Sequence, residues 1–223
     1  MGFTLVNLDS GYDRTLLAMA HDTGHSITLD DIRAAQRAFW QEYDAESLTH
    51  TWEPTIENDD AIGQEIDRRI CAKLGITDAA FLAKLRLHAR RAFHDPATYT
   101  VFPEVFDTLK ALRRTVPRLG ILSNWGWHLP ELCEQLGLAS YFDFIVVSAR
   151  VGCSKPNPCI FREMLRQAGT TPERTLHVGD SLSADVRGAQ AVGITGVLVD
   201  RAGTVQQDGY PVVRDLAGVL ALL

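Results

Sequence analysis

Residues 174–200 read RTLHVGDSLSADVRGAQAVGITGVLVD. An apolar run through Leu176 and Val178 stops at Gly179-Asp180. A helical stretch, SADVRGAQAV, follows and closes at Gly193, after which a second apolar run begins. Strand, helix and strand in so short a span make a crossover unit whose two strands lie parallel.

The same alternation extends upstream. Helix PEVFDTLKALRRT leads to the strand RLGILSN, helix PELCEQLGL to FDFIVVSARVG, and helix NPCIFREMLRQAG to RTLHVGD. Three helices end at Gly137, Gly169 and Gly193, the residue type that suits a helix C-terminus. A last helix is expected over 214–222. The pattern predicts an α/β protein, a parallel sheet covered on both faces.

Ahead of Pro103 the pattern changes. From 28 to 94 the chain reads as helix throughout. Thr28 and Asp31 form a capping-box pattern, followed by a stripe of Ile32, Ala35, Phe39 and Trp40. A second helix is expected from Asn58 to Gly75 and a third from Thr77. The division that follows is a helical insert over 12–98, with 1–11 and 99–223 forming the α/β core. A sheet of this kind needs a first strand before the insert, and only MGFTLVNL is available for it.

Composition narrows the function. The 223 residues are 46% hydrophobic and 22% charged, with a net charge of −6. These values fit a soluble globular protein and give no basic surface for nucleic acid. No apolar stretch is long enough for a membrane helix, and no signal-peptide pattern opens the chain. A cytoplasmic location is expected. Cys71, Cys133, Cys153 and Cys159 form no CxxC pair and are expected as free thiols.

In open parallel sheets, ligands bind beyond the carboxyl ends of the strands. Those ends carry Ser123-Asn124, Lys155 in GCSKPNP, and Gly179-Asp180 with Asp185 beyond. Each residue alone has a plainer reading: Ser123 as a turn, Lys155 as a solvated loop residue, Asp180 as a helix cap, Asp185 as a first-turn acid. Together, at successive strand ends, they place one hydroxyl, one ammonium and two carboxylates at a single edge. Trp125, Trp127 and His128 follow directly and are read as loop packing, with a leaving-group contact as the other reading. His50 and Trp52 lie in the helical insert. His177 is read as core.

The segments ILSN, GCSKPNPCIF and HVGDSLSADVRGAQAVG resemble the second, third and fourth motifs of the haloacid dehalogenase (HAD) superfamily. These are Rossmann-like hydrolases, mostly Mg²⁺-dependent phosphatases, and the helical stretch resembles their cap. The resemblance implies a hydrolase of a small phosphorylated molecule, with neither nucleic acid nor membrane as partner, working through an aspartyl-phosphate. Ser123 would hydrogen-bond a phosphoryl oxygen, Asn124 would assist through its backbone, and Lys155 would offset negative charge. Asp180 would coordinate Mg²⁺. Asp185 would either bind a metal-held water or orient Lys155.

The family's first motif is an apolar strand ending Asp-x-Asp-Gly-Thr-Leu, or a variant with Gly at the second Asp. Thr4-Leu5 match Thr-Leu, Phe3 stands where Gly is usual, and Gly2 takes the second Asp. The nucleophile is then expected immediately before Met1, which would make Met1 an internal residue read as a start. Asp9 is the alternative nucleophile in a second register. Gly2 removes the acid-base side chain but leaves a backbone carbonyl for Mg²⁺. It also raises two other readings: a dehalogenase-like hydrolase, and a catalytically inactive binding protein if the chain starts at Met1.

Overall fold

The structure is a computed structural model that describes residues 1–9, 11–205 and 208–223. Its elements run β1 (Val6–Leu8), α1 (Tyr12–Asp22), α2 (Leu29–Ser47), α3 (Ile56–Lys73), α4 (Ala79–His94) and β2 (Tyr99–Val101). Then come α5 (Val105–Thr115), β3 (Gly120–Ser123), α6 (Leu129–Gln135), β4 (Phe144–Val147), α7 (Ser148–Val151), α8 (Pro158–Ala168) and β5 (Leu176–Gly179). A π-helical turn over Leu182–Arg187 leads to α9 (Gly188–Gln190), β6 (Thr195–Val199), β7 (Val212–Val213) and a 3₁₀ segment, Leu216–Leu222.

The α/β class is as expected. β3 pairs parallel with β4, and β5 with β6 and β7. Neighbouring strand residues face opposite layers, as the period of two requires. Ile121 and Val147 join one core with Leu109 and Leu112 of α5. Leu122 and Val146 join the other with Ile160, Phe161 and Met164 of α8.

The parallel strands nevertheless form two separate ladders, because β3 and β5 do not pair with each other. Between them runs a cavity of about 570 Å³. Gly120, Ile121 and Leu122 line one side and Leu176, His177 and Val178 the other, with α5 and α8 residues above and below. Residues 1–8 do not enter it as a substitute strand. Met1 is buried at its end, 2–5 form a turn, and β1 pairs antiparallel with β2. Phe3 takes a left-handed φ of 55°. That conformation suits glycine and gives a backbone reason for glycine in the motif Phe3 aligns with.

The four long helices build their own core around Leu16, Ile32, Cys71, Ile76, Phe81 and Leu85. The Thr28–Asp31 capping box is present. Of the expected stripe, Ile32, Ala35 and Phe39 are buried, while Trp40 is 46% exposed. The next helix is capped by Thr55, which accepts from the Asn58 N–H, so Asn58 lies inside it. The third is capped by Asp78.

One expectation is corrected. Cys153 and Cys159 are disulfide-bonded, with Cα atoms 6.5 Å apart, a separation ordinary for disulfides. The spacing is not CxxC, but the loop carrying Lys155 brings its two ends together. Cys71 and Cys133 are free and buried.

The helical layer meets the α/β layer along a line of polar contacts. Trp52 N–H donates to the Gly152 carbonyl at 2.8 Å, Asn157 Nδ2 to the His50 carbonyl at 3.3 Å, and Ser154 Oγ to Ser47 Oγ at 3.1 Å. Ser183 Oγ donates to Asp44. At Gly152 (φ 84°) a Cβ would lie 2.3 Å from the Trp52 carbonyl oxygen. Gly152→Ala is therefore expected to cost about 1–3 kcal/mol of stability, from the left-handed backbone and the lost junction. Urea unfolding measures it, and an unchanged midpoint would refute the contact.

Candidate active site

Ser123 closes β3 and is 2% exposed. The Met1 α-amino nitrogen donates to its Oγ at 3.4 Å. Asn124 turns aside and clamps the Lys155 backbone: Asn124 Nδ2 donates to the Lys155 carbonyl at 2.8 Å, and the Lys155 N–H to Asn124 Oδ1 at 2.7 Å.

Lys155 is itself buried. Its ammonium donates to Asp185 Oδ1 at 2.6 Å and to the Leu122 carbonyl at 3.1 Å. Asp185 is fully engaged. Its Oδ1 also meets His177 Nε2 at 2.9 Å, and its Oδ2 accepts the Ser181 N–H at 2.9 Å. Burial alone would raise the Asp185 pKa, but the Lys155 ammonium and the His177 bond outweigh it and hold the carboxyl well below the usual range. Burial pushes the His177 pKa down, against the pull of Asp185. Facing an ionised carboxylate, the neutral ring carries its hydrogen on Nε2.

Gly179 is required by this packing, since a Cβ there would lie 2.1 Å from Asp185 Cγ. Its neighbour Asp180 is the open acid. Asp180 is solvent-exposed, and Oδ1 accepts from Thr4 Oγ1 at 2.8 Å. Its pKa is raised, first by the surrounding protein and next by the Asp185 carboxylate. The Met1 amine is pushed down to about 6 by burial and by the Lys155 ammonium.

Ser123, Asn124, Lys155, Asp180 and Asp185 thus converge, joined by Gly2 through Thr4, whose N–H donates to the Gly2 carbonyl at 2.7 Å. Asp9 does not converge. Its side chain is 65% exposed and ion-paired to Arg14. Trp125 packs near Phe93 and Tyr99, His128 against His94, and the Trp127 N–H donates to Asp59 at 2.9 Å. Two residues have contacts that the sequence reading did not assign: Thr4, read as a motif match, bonds Asp180, and His177, read as core, bonds Asp185. An ionisable residue inside an otherwise apolar strand was the signal for His177.

Mg²⁺ binds oxygen, commonly through one or two carboxylates plus substrate phosphate and water. Asp180 meets that demand with an open oxygen, and Thr4 links it to the Gly2 carbonyl. Asp185 does not, because both of its oxygens are occupied. Among the described residues no cluster of three or more His, Cys, Asp or Glu could cage a metal. The donors fit only a lightly held, mostly hydrated ion. No helix among the described residues is long and apolar enough to cross a membrane.

A family model described as haloacid dehalogenase-like hydrolase matches residues 4–193, and the chain belongs to that family. The haloacid dehalogenase-like hydrolase domain-containing protein 3 of Mus musculus is 38% identical over 141 residues, covering 63% of this chain and 55% of that protein. A glyceraldehyde 3-phosphate phosphatase of Methanopyrus kandleri is 37% identical over 121 residues, covering 53% and 52%. The chain spans about half the length of the curated relatives it matches. A putative HAD-hydrolase of Bacillus subtilis, bound to magnesium, shares the fold at a TM-score of 0.74 and 20% identity, covering 100% of this chain and 95% of that one.

Proposed function

We propose that the protein hydrolyses a small phosphorylated molecule through an aspartyl-phosphate, with 12–98 acting as a cap over a core of 1–11 and 99–223. The observation that carries this reading is the buried Lys155 ammonium, fixed by Asp185 and by the carbonyl of Leu122, the residue that precedes the buried Ser123. A fixed cation and hydroxyl donor at one strand edge suit a phosphoryl group, whose transfer depends on positioning and charge compensation.

In this reading Ser123 donates to a phosphoryl oxygen and Lys155 offsets its charge. Asp185, His177 and the Asn124 clamp are positioning residues that act through Lys155. A carboxylate joined to the Met1 nitrogen would stand beside Ser123 and Lys155, because that nitrogen already does. Its oxygen attacks phosphorus, the alcohol of the substrate leaves, and water then releases phosphate and restores the carboxylate. Asp180 and the Gly2 carbonyl would hold Mg²⁺, which supplies further positive charge to the phosphoryl group. With Gly2 in place of a second acid, proton transfer to the leaving group falls to water or substrate.

The test uses the chain extended by an apolar strand ending in Asp directly before Met1. It is expected to release phosphate from 4-nitrophenyl phosphate in a Mg²⁺-dependent manner, and Asp180→Asn should lower the rate about 10²-fold. No release, or release indifferent to Asp180, overturns the reading. A binding protein or a dehalogenase-like hydrolase would then stand in its place.

A further inference from the structure

We propose that Asp44, a carboxyl of the helical layer, is the general acid and base of the reaction, passing a proton to the leaving group and taking one back from water. The proposal rests on the phosphatase reading and supplies a proton carrier that the α/β core alone lacks. Gly2 has no side chain for this role. Asp185 has both oxygens engaged, and Asp180 in that reading holds Mg²⁺.

Asp44 lies in the last turn of α2. Residues three apart on a helix share a face, and Asp44 and Ser47 together bridge the two loops of the site. Ser183 Oγ donates to Asp44 Oδ2. The same hydroxyl meets that of Ser181, the residue after Asp180, at 3.2 Å. Ser47 Oγ accepts from Ser154 Oγ at 3.1 Å, one residue before Lys155. The carboxyl is thus seated between the loop that carries Lys155 and the turn that follows Asp180.

The line of attack leads to the same place. The attacking oxygen enters from the sheet, beside the Met1 nitrogen and Ser123. Attacking and leaving oxygens lie roughly in line across phosphorus. The leaving oxygen therefore departs away from the strands, toward the helical layer that α2 brings over their ends.

Asp44 is half-buried, so its carboxyl is accessible. Burial raises its pKa, the Ser183 bond and the Lys155 ammonium oppose the rise, and the Asp185 carboxylate adds to it. A carboxyl raised toward neutral pH keeps the proton that a general acid must give. As the bond from phosphorus to the leaving oxygen breaks, Asp44 gives its proton to that oxygen and the alcohol is released. The Asp44 carboxylate then takes a proton from the water that attacks the aspartyl-phosphate. Phosphate leaves, the nucleophilic carboxylate is freed, and Asp44 is protonated again.

The experiment compares kcat/KM for benzyl phosphate and 4-nitrophenyl phosphate in the strand-extended chain, with and without Asp44→Asn. Asparagine keeps the size of the side chain and an acceptor for Ser183 but has no acidic proton. 4-Nitrophenolate leaves as a stable anion, whereas the benzyl alkoxide needs a proton. Asp44→Asn is expected to lower kcat/KM about 10²-fold or more for benzyl phosphate and less than about tenfold for 4-nitrophenyl phosphate. With Asp44 in place, the benzyl phosphate rate should fall as pH rises through the Asp44 pKa, and the variant should lack that limb. Ser183→Ala removes the contact between the layers, keeps the acid, and should retain the wild-type ratio of the two rates. Equal losses on both substrates, or none, overturn the inference and leave the phosphatase reading intact. Equal losses that Ser183→Ala reproduces would make Asp44 a clasp between the layers. Release from 4-nitrophenyl phosphate alone in the presence of Asp44 also overturns the inference, and no release from either substrate overturns both readings.

Discussion

Extending the chain ahead of Met1 by a short apolar strand closing on Asp, such as Val-Leu-Leu-Ile-Asp, is expected to raise the thermal midpoint by roughly 10–20 °C. The cause is the cavity between β3 and β5. Both strands are paired on one edge only, and the space between them is walled by Leu109 and Leu112 on one face and Met164 and Ala168 on the other. A strand placed there pairs with two neighbours and buries side chains on both faces. The gain from burial and hydrogen bonds exceeds the ordering entropy by an amount on the order of 5 kcal/mol. Direction is fixed by Met1, which lies at the Ser123 end of the cavity. A segment leading into it runs parallel to β3 and β5. An extension of equal length alternating Lys and Glu is the control, since its charges cannot enter an apolar slot. Equal midpoints for the two extensions, by calorimetry, would sink the assignment of the cavity as a strand slot.

A first strand ahead of the helical insert was expected from the sequence, with MGFTLVNL as the segment available for it. The path of that segment was not legible. Residues 1–8 have the apolar content of a strand, yet they turn at 2–5 and pair with Tyr99–Val101, a partner almost a hundred residues away that no local pattern indicates. The site shows the same division. Ser123, Lys155, Asp180 and Asp185 were singled out as candidates because strand ends collect at one sheet edge, a rule of topology. The role of Asn124 was not found, because its bonds run to the Lys155 backbone across the sheet. His177 was read as core from its place inside a strand, and it is buried, but that place says nothing of which element it meets. The contact with Asp185 depends on how the turn over Leu182–Arg187 folds back on β5. Pairing of Cys153 with Cys159 escaped a spacing rule, since it follows from the path of the Lys155 loop.

Asp185→Ala is expected to lower the unfolding free energy by about 3–5 kcal/mol, the range for removing one member of a buried ion pair. The large size follows from burial on both sides, with Lys155 6% and Asp185 5% exposed. Without Asp185, the ammonium keeps only the Leu122 carbonyl, His177 loses its acceptor, and the Ser181 N–H is left unpaired. Because the folded carboxyl titrates below its unfolded counterpart, this stabilisation is present at neutral pH. It is lost only as the pH falls through and below the ordinary aspartate range. The double variant Asp185→Ala, Lys155→Met separates structure from chemistry. Deleting both charges removes the desolvated ammonium, so the double variant should recover about 2 kcal/mol or more relative to the sum of the single losses. Urea unfolding of the four proteins measures that coupling, and additive losses would show that the two side chains do not act as a pair. Phosphoryl transfer needs a cation at this point whatever the stability. The double variant of the strand-extended chain should therefore fold and remain inactive, which no purely structural role for Lys155 would produce.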